Sequence, residues 1–228
     1  MEISPQDYWQ HVYPDSLETG ILNTSSFAAS LPDDRRLLLP IRTLPGGQNK
    51  GVASLILNQA SFEVLDTLAD FVADQLYAHD PQVVIGVPTL GLPLAEAVAR
   101  RLGHTRIVPL STSRKFWYDP DLSQPLGSIT SPDQAKTLYI DPRMMSLLDG
   151  TRVAVVDDVL SSGKSIASVL ALLGKINLRP VAIGCAMLQS RRWENVVGNI
   201  PTVSAIATPL LQRSGKSWTE AEDQKTTG

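Results

Sequence analysis

Apolar and polar positions fall into short segments whose period switches between about two and about three and a half residues. Two apolar runs, 36–41 and 52–57, flank LPGGQNKG, a glycine-rich turn sequence, and predict a β-hairpin. Phe62, Leu65, Leu68, Ala69, Val72 and Leu76 then recur at helical spacing behind Ser61, whose hydroxyl suits a helix N-cap. VVIGV (83–87) reads as a buried strand. Pro93 can open the next helix, Leu94, Ala97, Val98, Arg101 and Leu102 continue it, and Gly103 can close it. IVPL (107–110), VAVVDD (153–158), VAIGCAML (181–188) and TVSAIA (202–207) are further strand patterns, with a helix from about 165 to 176.

This alternation predicts an α/β fold: an open, mainly parallel twisted sheet flanked by helices, with a small N-terminal hood or hairpin region. Residues 1–35 are irregular and read as an arm or hood. Residues 36–213 form the main domain, and 214–228 a polar tail expected to fray. Residues 111–135 lack periodicity but hold three adjacent aromatics, Phe116, Trp117 and Tyr118, and read as a lid loop that should bury them against substrate or partner.

Composition narrows the classes. With 228 residues, 43% hydrophobic and 19% charged, the chain can bury a sizeable core. A net charge of −3, with no run of like charges longer than two, gives no nucleic-acid footprint. The N-terminus lacks the basic and apolar regions of a signal peptide, and no apolar stretch is long enough to span a bilayer, so a cytoplasmic protein without membrane contact is expected. The single cysteine, Cys185, lies in an apolar run and reads as an inert core thiol in a reducing compartment.

The candidate chemistry lies at 153–165, VAVVDDVLSSGKS. A buried strand delivers Asp157 and Asp158 to its carboxyl end, where open parallel sheets bind ligands. Ser161, Ser162 and Ser165 supply hydroxyls, Gly163 permits close backbone wrapping, and the next helix offers unpaired N–H groups to an anion. Adjacent carboxylates suit sugar hydroxyls and a hydrated Mg²⁺ better than phosphate. A P-loop is excluded: the glycine it needs five residues before Gly163-Lys164 is Asp158, and before Gly215-Lys216 it is Leu210.

These residues resemble the signature of the type I phosphoribosyltransferases, an apolar strand, two acids, two variable residues and a small Ser/Thr-Gly loop. The resemblance covers roughly 35–190. It implies that Asp157 and Asp158 meet ribose hydroxyls, that Ser161, Ser162, Gly163, Lys164 and Ser165 hold a 5′-phosphate, and that Mg²⁺ is carried mainly by substrate near the acid pair. VVIGVPTLGLPLAEAVARRLG (83–103) is similar to the family's pyrophosphate loop, which places Pro88, Thr89, Leu90 and Gly91 at the diphosphate, with a strained or cis peptide near Thr89. Ser113-Arg114-Lys115 resembles the basic opening of the mobile catalytic loop, giving Arg114 and Lys115 a role in neutralising pyrophosphate and implying a homodimer.

By the same resemblance, phosphoribosyl pyrophosphate reacts with a nucleobase. Hypoxanthine-guanine members carry an acid where Ser161 stands, which disfavours that branch. Adenine, xanthine and orotate remain, with a purine, adenine first, preferred. Val159, Leu160, Arg191 and Trp193 are the candidate base contacts. The alternative is a regulator that keeps the fold to sense phosphoribosyl pyrophosphate without catalysis. His11, His79 and His104 are scattered and receive no role.

Overall fold

The protein is described here by a computed structural model covering residues 3–17, 23–46, 49–126 and 136–221. In chain order its strands and helices are β1 (Val12–Tyr13), β2 (Ser26–Ser30), β3 (Arg36–Thr43), β4 (Lys50–Ala53), α1 (Phe62–Tyr77), β5 (Val83–Gly86), α2 (Gly91–Arg101), β6 (Val108–Pro109), β7 (Ser123–Pro125), β8 (Thr137–Tyr139), α3 (Met145–Leu148), β9 (Val153–Leu160), α4 (Lys164–Gly174), β10 (Ala182–Gln189), α5 (Glu194–Val197), β11 (Thr202–Thr208), β12 (Leu210–Ser214) and β13 (Ser217–Glu220).

β11, β10, β9, β5 and β6 pair in that order, all parallel. Alternation along β9 sends Ala154 and Val156 to one face and Val153 and Val155 to the other. The first pair packs with Val64, Leu68 and Val72 of α1 and with Leu94 and Val98 of α2. The second packs with Ile166, Val169 and Leu172 of α4. Ser61 caps α1 as expected, its hydroxyl accepting from Val64 N–H at 3.2 Å. Phe62, expected on the buried stripe, is exposed instead, at the first residue of α1. α2 begins at Gly91, so Pro93 is its third residue; a missing N–H costs nothing within the first turn. No helix among the described residues is long and apolar enough to cross a membrane.

The hood is a second, antiparallel sheet in the order β1, β3, β4, β12, β13, with β2 also on β3. The expected hairpin is β3 and β4, in register Ile41 to Ala53. The described part of the N-terminal arm is built into this hood. Tyr8 and Trp9 join the core cluster of α1 and α2, and Trp9 Nε1 donates to the Ser54 carbonyl at 3.0 Å.

Two expectations change. The polar stretch from Ser214 was expected to fray, but Ser214 ends β12, and the chain turns at Gly215 and returns as β13. Trp218 anchors that strand at 7% exposure, lying where a Cβ on Gly51 would meet its ring at 2.7 Å. The single lid loop expected over 111–135 is broken by strand pairing. Ser111 instead bridges Tyr139, and β7 pairs with β8 as an antiparallel ribbon packed on α4. Residues 127–135 of that loop lie outside the described residues.

Candidate functional site

β5 leads through α2 to β6 on one side, whereas β9 lies on the other side of β5. The chain therefore reverses its direction of build between β5 and β9, and the crevice at the carboxyl ends of those two strands is where open α/β sheets bind ligands. Two segments singled out by the sequence meet there. Pro88–Gly91 leaves β5, and the acid pair lies near the end of β9. The contact is close: a Cβ on Gly91 would stand 2.8 Å from both Cα and Oδ1 of Asp157, so only glycine fits. The Pro88–Thr89 peptide is cis, in keeping with the strained peptide anticipated near Thr89.

Asp157 is 4% exposed, and its Oδ1 accepts the backbone N–H of Asp158 at 2.8 Å. Burial pushes its carboxyl well above the ordinary range, and the neighbouring Asp158 charge pushes it further. Asp158 is half-buried and is also raised by burial. This is a compact, electron-rich pair that gains from hydroxyl donors or a cation brought by a ligand. Among the described residues no group of three or more His, Cys, Asp or Glu could hold a metal, so a cation here would rely mainly on oxygens that a ligand brings.

On the other side of the pair, the loop 161–163 enters α4. Gly163 takes a left-handed conformation (φ +81°), and its α-carbon faces Val196 and the Trp193 backbone so closely that a Cβ would meet Val196 Cγ2 at 2.7 Å. The N-cap residues of α2 and α4, Leu90 and Gly163, cap nothing with a side chain, and at α4 the Lys164 N–H donates to Ser162 Oγ at 3.4 Å. Two helix starts with open N–H groups and positive dipole ends thus flank one carboxylate pair. Ser162, Lys164 and Ser165 are exposed around the α4 start. Ser161 differs: its hydroxyl donates to Gln189 Oε1 at 2.9 Å.

Arg114 and Lys115 are exposed in the turn after β6, and therefore emerge at the same carboxyl edge of the sheet. The next residues form an aromatic stack. Phe116 is 96% exposed and meets Trp117 edge-on at 4.8 Å, and Arg143 lies over the Trp117 ring at 4.8 Å. The candidate base contacts divide. Leu160 is buried in the cluster beneath α4, so its side chain is closed to ligands, whereas Val159 is half-buried. Arg191 Nε donates to Glu194 at 2.7 Å, and Trp193 Nε1 donates to the Ser190 carbonyl at 2.8 Å. Cys185 is fully buried, and burial pushes its thiol far up, as an inert core thiol requires. Sequence reasoning passed over Gln189, whose carboxamide lies between the loop and the hood.

Residues 52–208 match the family model of the phosphoribosyl transferase domain. The chain belongs to that family. This phosphoribosyltransferase-domain chain is 31% identical over 175 residues to the bifunctional protein PyrR of Streptomyces coelicolor, covering 67% of this chain and 80% of that protein. It is 30% identical over 141 residues to the transcriptional regulator GfcR of Archaeoglobus fulgidus, where the match covers 61% of this chain and only 62% of the regulator's length. The adenine phosphoribosyltransferase of Thermoanaerobacter pseudethanolicus has the same fold, with a TM-score of 0.59 at 18% identity over 74% of this chain and 95% of that one.

Proposed function

We propose that the protein binds phosphoribosyl pyrophosphate and transfers its phosphoribosyl group to a nucleobase, releasing pyrophosphate. One observation carries this reading: the start of α2, the carboxylate pair of buried Asp157 and half-buried Asp158, and the start of α4 stand in that order across the switch point. The ligand that matches has an anion at each end and hydroxyls between, as in diphosphate, ribose and 5′-phosphate. Pro88–Gly91 and the start of α2 take the diphosphate. Asp157 and Asp158 accept from the ribose hydroxyls. Ser162, Gly163, Lys164 and Ser165 take the 5′-phosphate. Arg114 and Lys115 reach the leaving pyrophosphate from the edge turn.

The bond from C1 to the pyrophosphate oxygen breaks with its electron pair as a base nitrogen bonds to C1, and the nitrogen's proton goes to solvent. The cationic sugar of the transition state is stabilised by positioned charge rather than by a covalent intermediate. Mg²⁺, when bound, offsets diphosphate charge; the all-oxygen donor set of the acid pair fits a hydrated ion held chiefly by substrate. A purine acceptor, adenine first, agrees with the absence of an acid at Ser161. A homodimer covering Phe116 belongs to the same reading, and sedimentation equilibrium tests it.

Relatives named as transcriptional regulators favour a second reading, in which this chain binds phosphoribosyl pyrophosphate as a regulator without catalysis. One assay separates the two. Protein, Mg²⁺ and phosphoribosyl pyrophosphate are mixed with a panel of purine and pyrimidine bases, and pyrophosphate and nucleotide are measured. Nucleotide from one base establishes the transferase; ligand binding without product with any base counts against the transferase and favours the sensor. Asp158→Asn should lower affinity for phosphoribosyl pyrophosphate about tenfold or more, since a charged acceptor is lost. Unchanged affinity would count against the ribose role.

A further inference from the structure

Gln189 closes β10 and is 6% exposed. Its carboxamide joins two parts of the molecule. Nε2 donates to the Ala53 carbonyl, at the end of β4 in the hood, at 2.7 Å, and Oε1 accepts from Ser161 Oγ at 2.9 Å. A backbone carbonyl can only accept, so Ala53 dictates which end of the carboxamide is nitrogen. The oxygen at the other end can only accept as well, so it takes the single proton of Ser161. What Ser161 Oγ has left is lone pairs. A phosphate ester presents acceptor oxygens, and the Ser161 hydroxyl has no proton left to give one, so only the backbone N–H of Ser161 could serve a phosphate. Ser162 and Ser165, exposed at the α4 start, keep theirs.

A second polar group stands beside this chain. Thr208 of β11 is the register partner of Gln189, is 4% exposed, and its hydroxyl has no partner among the described residues. Buried hydroxyls are rarely left without a partner, so Thr208 leaves an unsatisfied polar atom beside the relay.

We propose that Gln189 sets the hydrogen-bond polarity of the crevice between hood and sheet: it makes the Ser161 hydroxyl an acceptor that reads an N–H or amino donor on the nucleobase instead of a donor to the 5′-phosphate. This rests on the site reading given under Proposed function. Gln189 is then a positioning residue and Ser161 a specificity residue, and the acceptor base is one that turns a donor, such as the amino group of adenine, toward the loop.

Calorimetric titration with ribose 5-phosphate, and then with adenine, xanthine and orotate on the ribose 5-phosphate-loaded protein, tests it. Ser162→Ala should weaken ribose 5-phosphate about tenfold, the loss of a hydrogen bond to a charged group, whereas Ser161→Ala should change it by less than about twofold. Ser161→Ala should weaken the tightest-binding base about fivefold, and Ser161→Thr, which restores the hydroxyl, should recover it. Gln189→Met keeps length and burial but frees the Ser161 proton. It should leave ribose 5-phosphate affinity equal or tighter while weakening the base; if it does not fold, the serine variants decide alone. Equal losses of ribose 5-phosphate affinity in Ser161→Ala and Ser162→Ala would overturn the proposal, as would base affinity unmoved by Ser161→Ala. A wild type that binds ribose 5-phosphate but no base also overturns it while leaving the sensor reading intact. A wild type that binds no ribose 5-phosphate removes the site reading and this proposal together.

Discussion

At Gly91 a single hydrogen atom decides whether the site exists. The start of α2 approaches Asp157 so closely that any Cβ would stand 2.8 Å from its Cα and Oδ1. Gly91→Ala must push α2 away from β9 or turn the Asp157 carboxyl, and either change spoils the alignment of the diphosphate loop with the acid pair. The expected outcome is at least a tenfold loss of phosphoribosyl pyrophosphate affinity, together with about 1–3 kcal/mol of stability, the usual cost of overpacking a tight contact; calorimetry and denaturant unfolding check the two effects. This scale also shows what a sequence can carry. Asp157, Asp158 and the 161–165 loop are legible because the strand, acid pair and loop are contiguous, and the chemistry needs them that way. Gln189, Ala53 and Thr208 are not, because they stand at the ends of three strands far apart in the chain, and nothing in their local spacing marks them. Leu160 was read as a base contact for lack of the same information: only the sheet shows that it turns into the core beneath α4.

Among the elements, the β12–β13 hairpin is the one the hydrophobic pattern hid. SWTE has a single large apolar residue, so its period carries almost no signal, and a two-sided strand pattern never arises at the edge of the hood. Burial there depends on one side chain meeting one absent side chain, Trp218 over Gly51. Gly51→Ala should therefore cost about 1–3 kcal/mol by displacing the indole, measured as a fall in the urea midpoint. Ala substituted at Gly150, where nothing lies within 4 Å of the added Cβ, does not share that clash and serves as the packing control, though its φ of +63° brings a strain of its own.

The turn beneath the aromatic stack depends on pH. Asp141 is held near its ionised form by the Arg143 guanidinium, at 2.5 Å, with lesser help from Trp117, and its carboxyl falls from 3.8 to about 2 despite its own burial. A carboxyl lowered on folding stabilises the protein above its unfolded value and loses that contribution as pH falls through the folded one. Wild type should exceed Asp141→Asn in melting temperature at pH 6, and the difference should begin to shrink near pH 4 and go on shrinking as pH falls through about 2. A gap that stays constant down to pH 2 would show that the ion pair is not what holds the turn.

For the whole molecule the question is how the hood knows that the loop is occupied. The hood and the sheet share one core through Tyr8, Trp9, Leu37 and Leu39, but at the crevice Gln189 is the polar tie between β4 and the loop before α4. A ligand that binds only the folded protein adds stability by mass action, about 2.7 kcal/mol at one hundred times its dissociation constant. For a chain of 228 residues that is a rise of about 5–10 °C in melting temperature, which phosphoribosyl pyrophosphate should produce and which a tenfold weaker Asp158→Asn should cut by about half at the same ligand concentration. The distribution of that stability is the sharper measurement. If Gln189 transmits occupancy, hydrogen exchange in β4 and in the β10 end should slow on ligand binding in wild type. In Gln189→Met the slowing should remain at the start of α4 and disappear from β4, because the shared apolar core holds the hood in place but carries no information about the state of the Ser161 hydroxyl. Equal slowing of β4 in both proteins would mean that the ligand orders the hood by touching it directly.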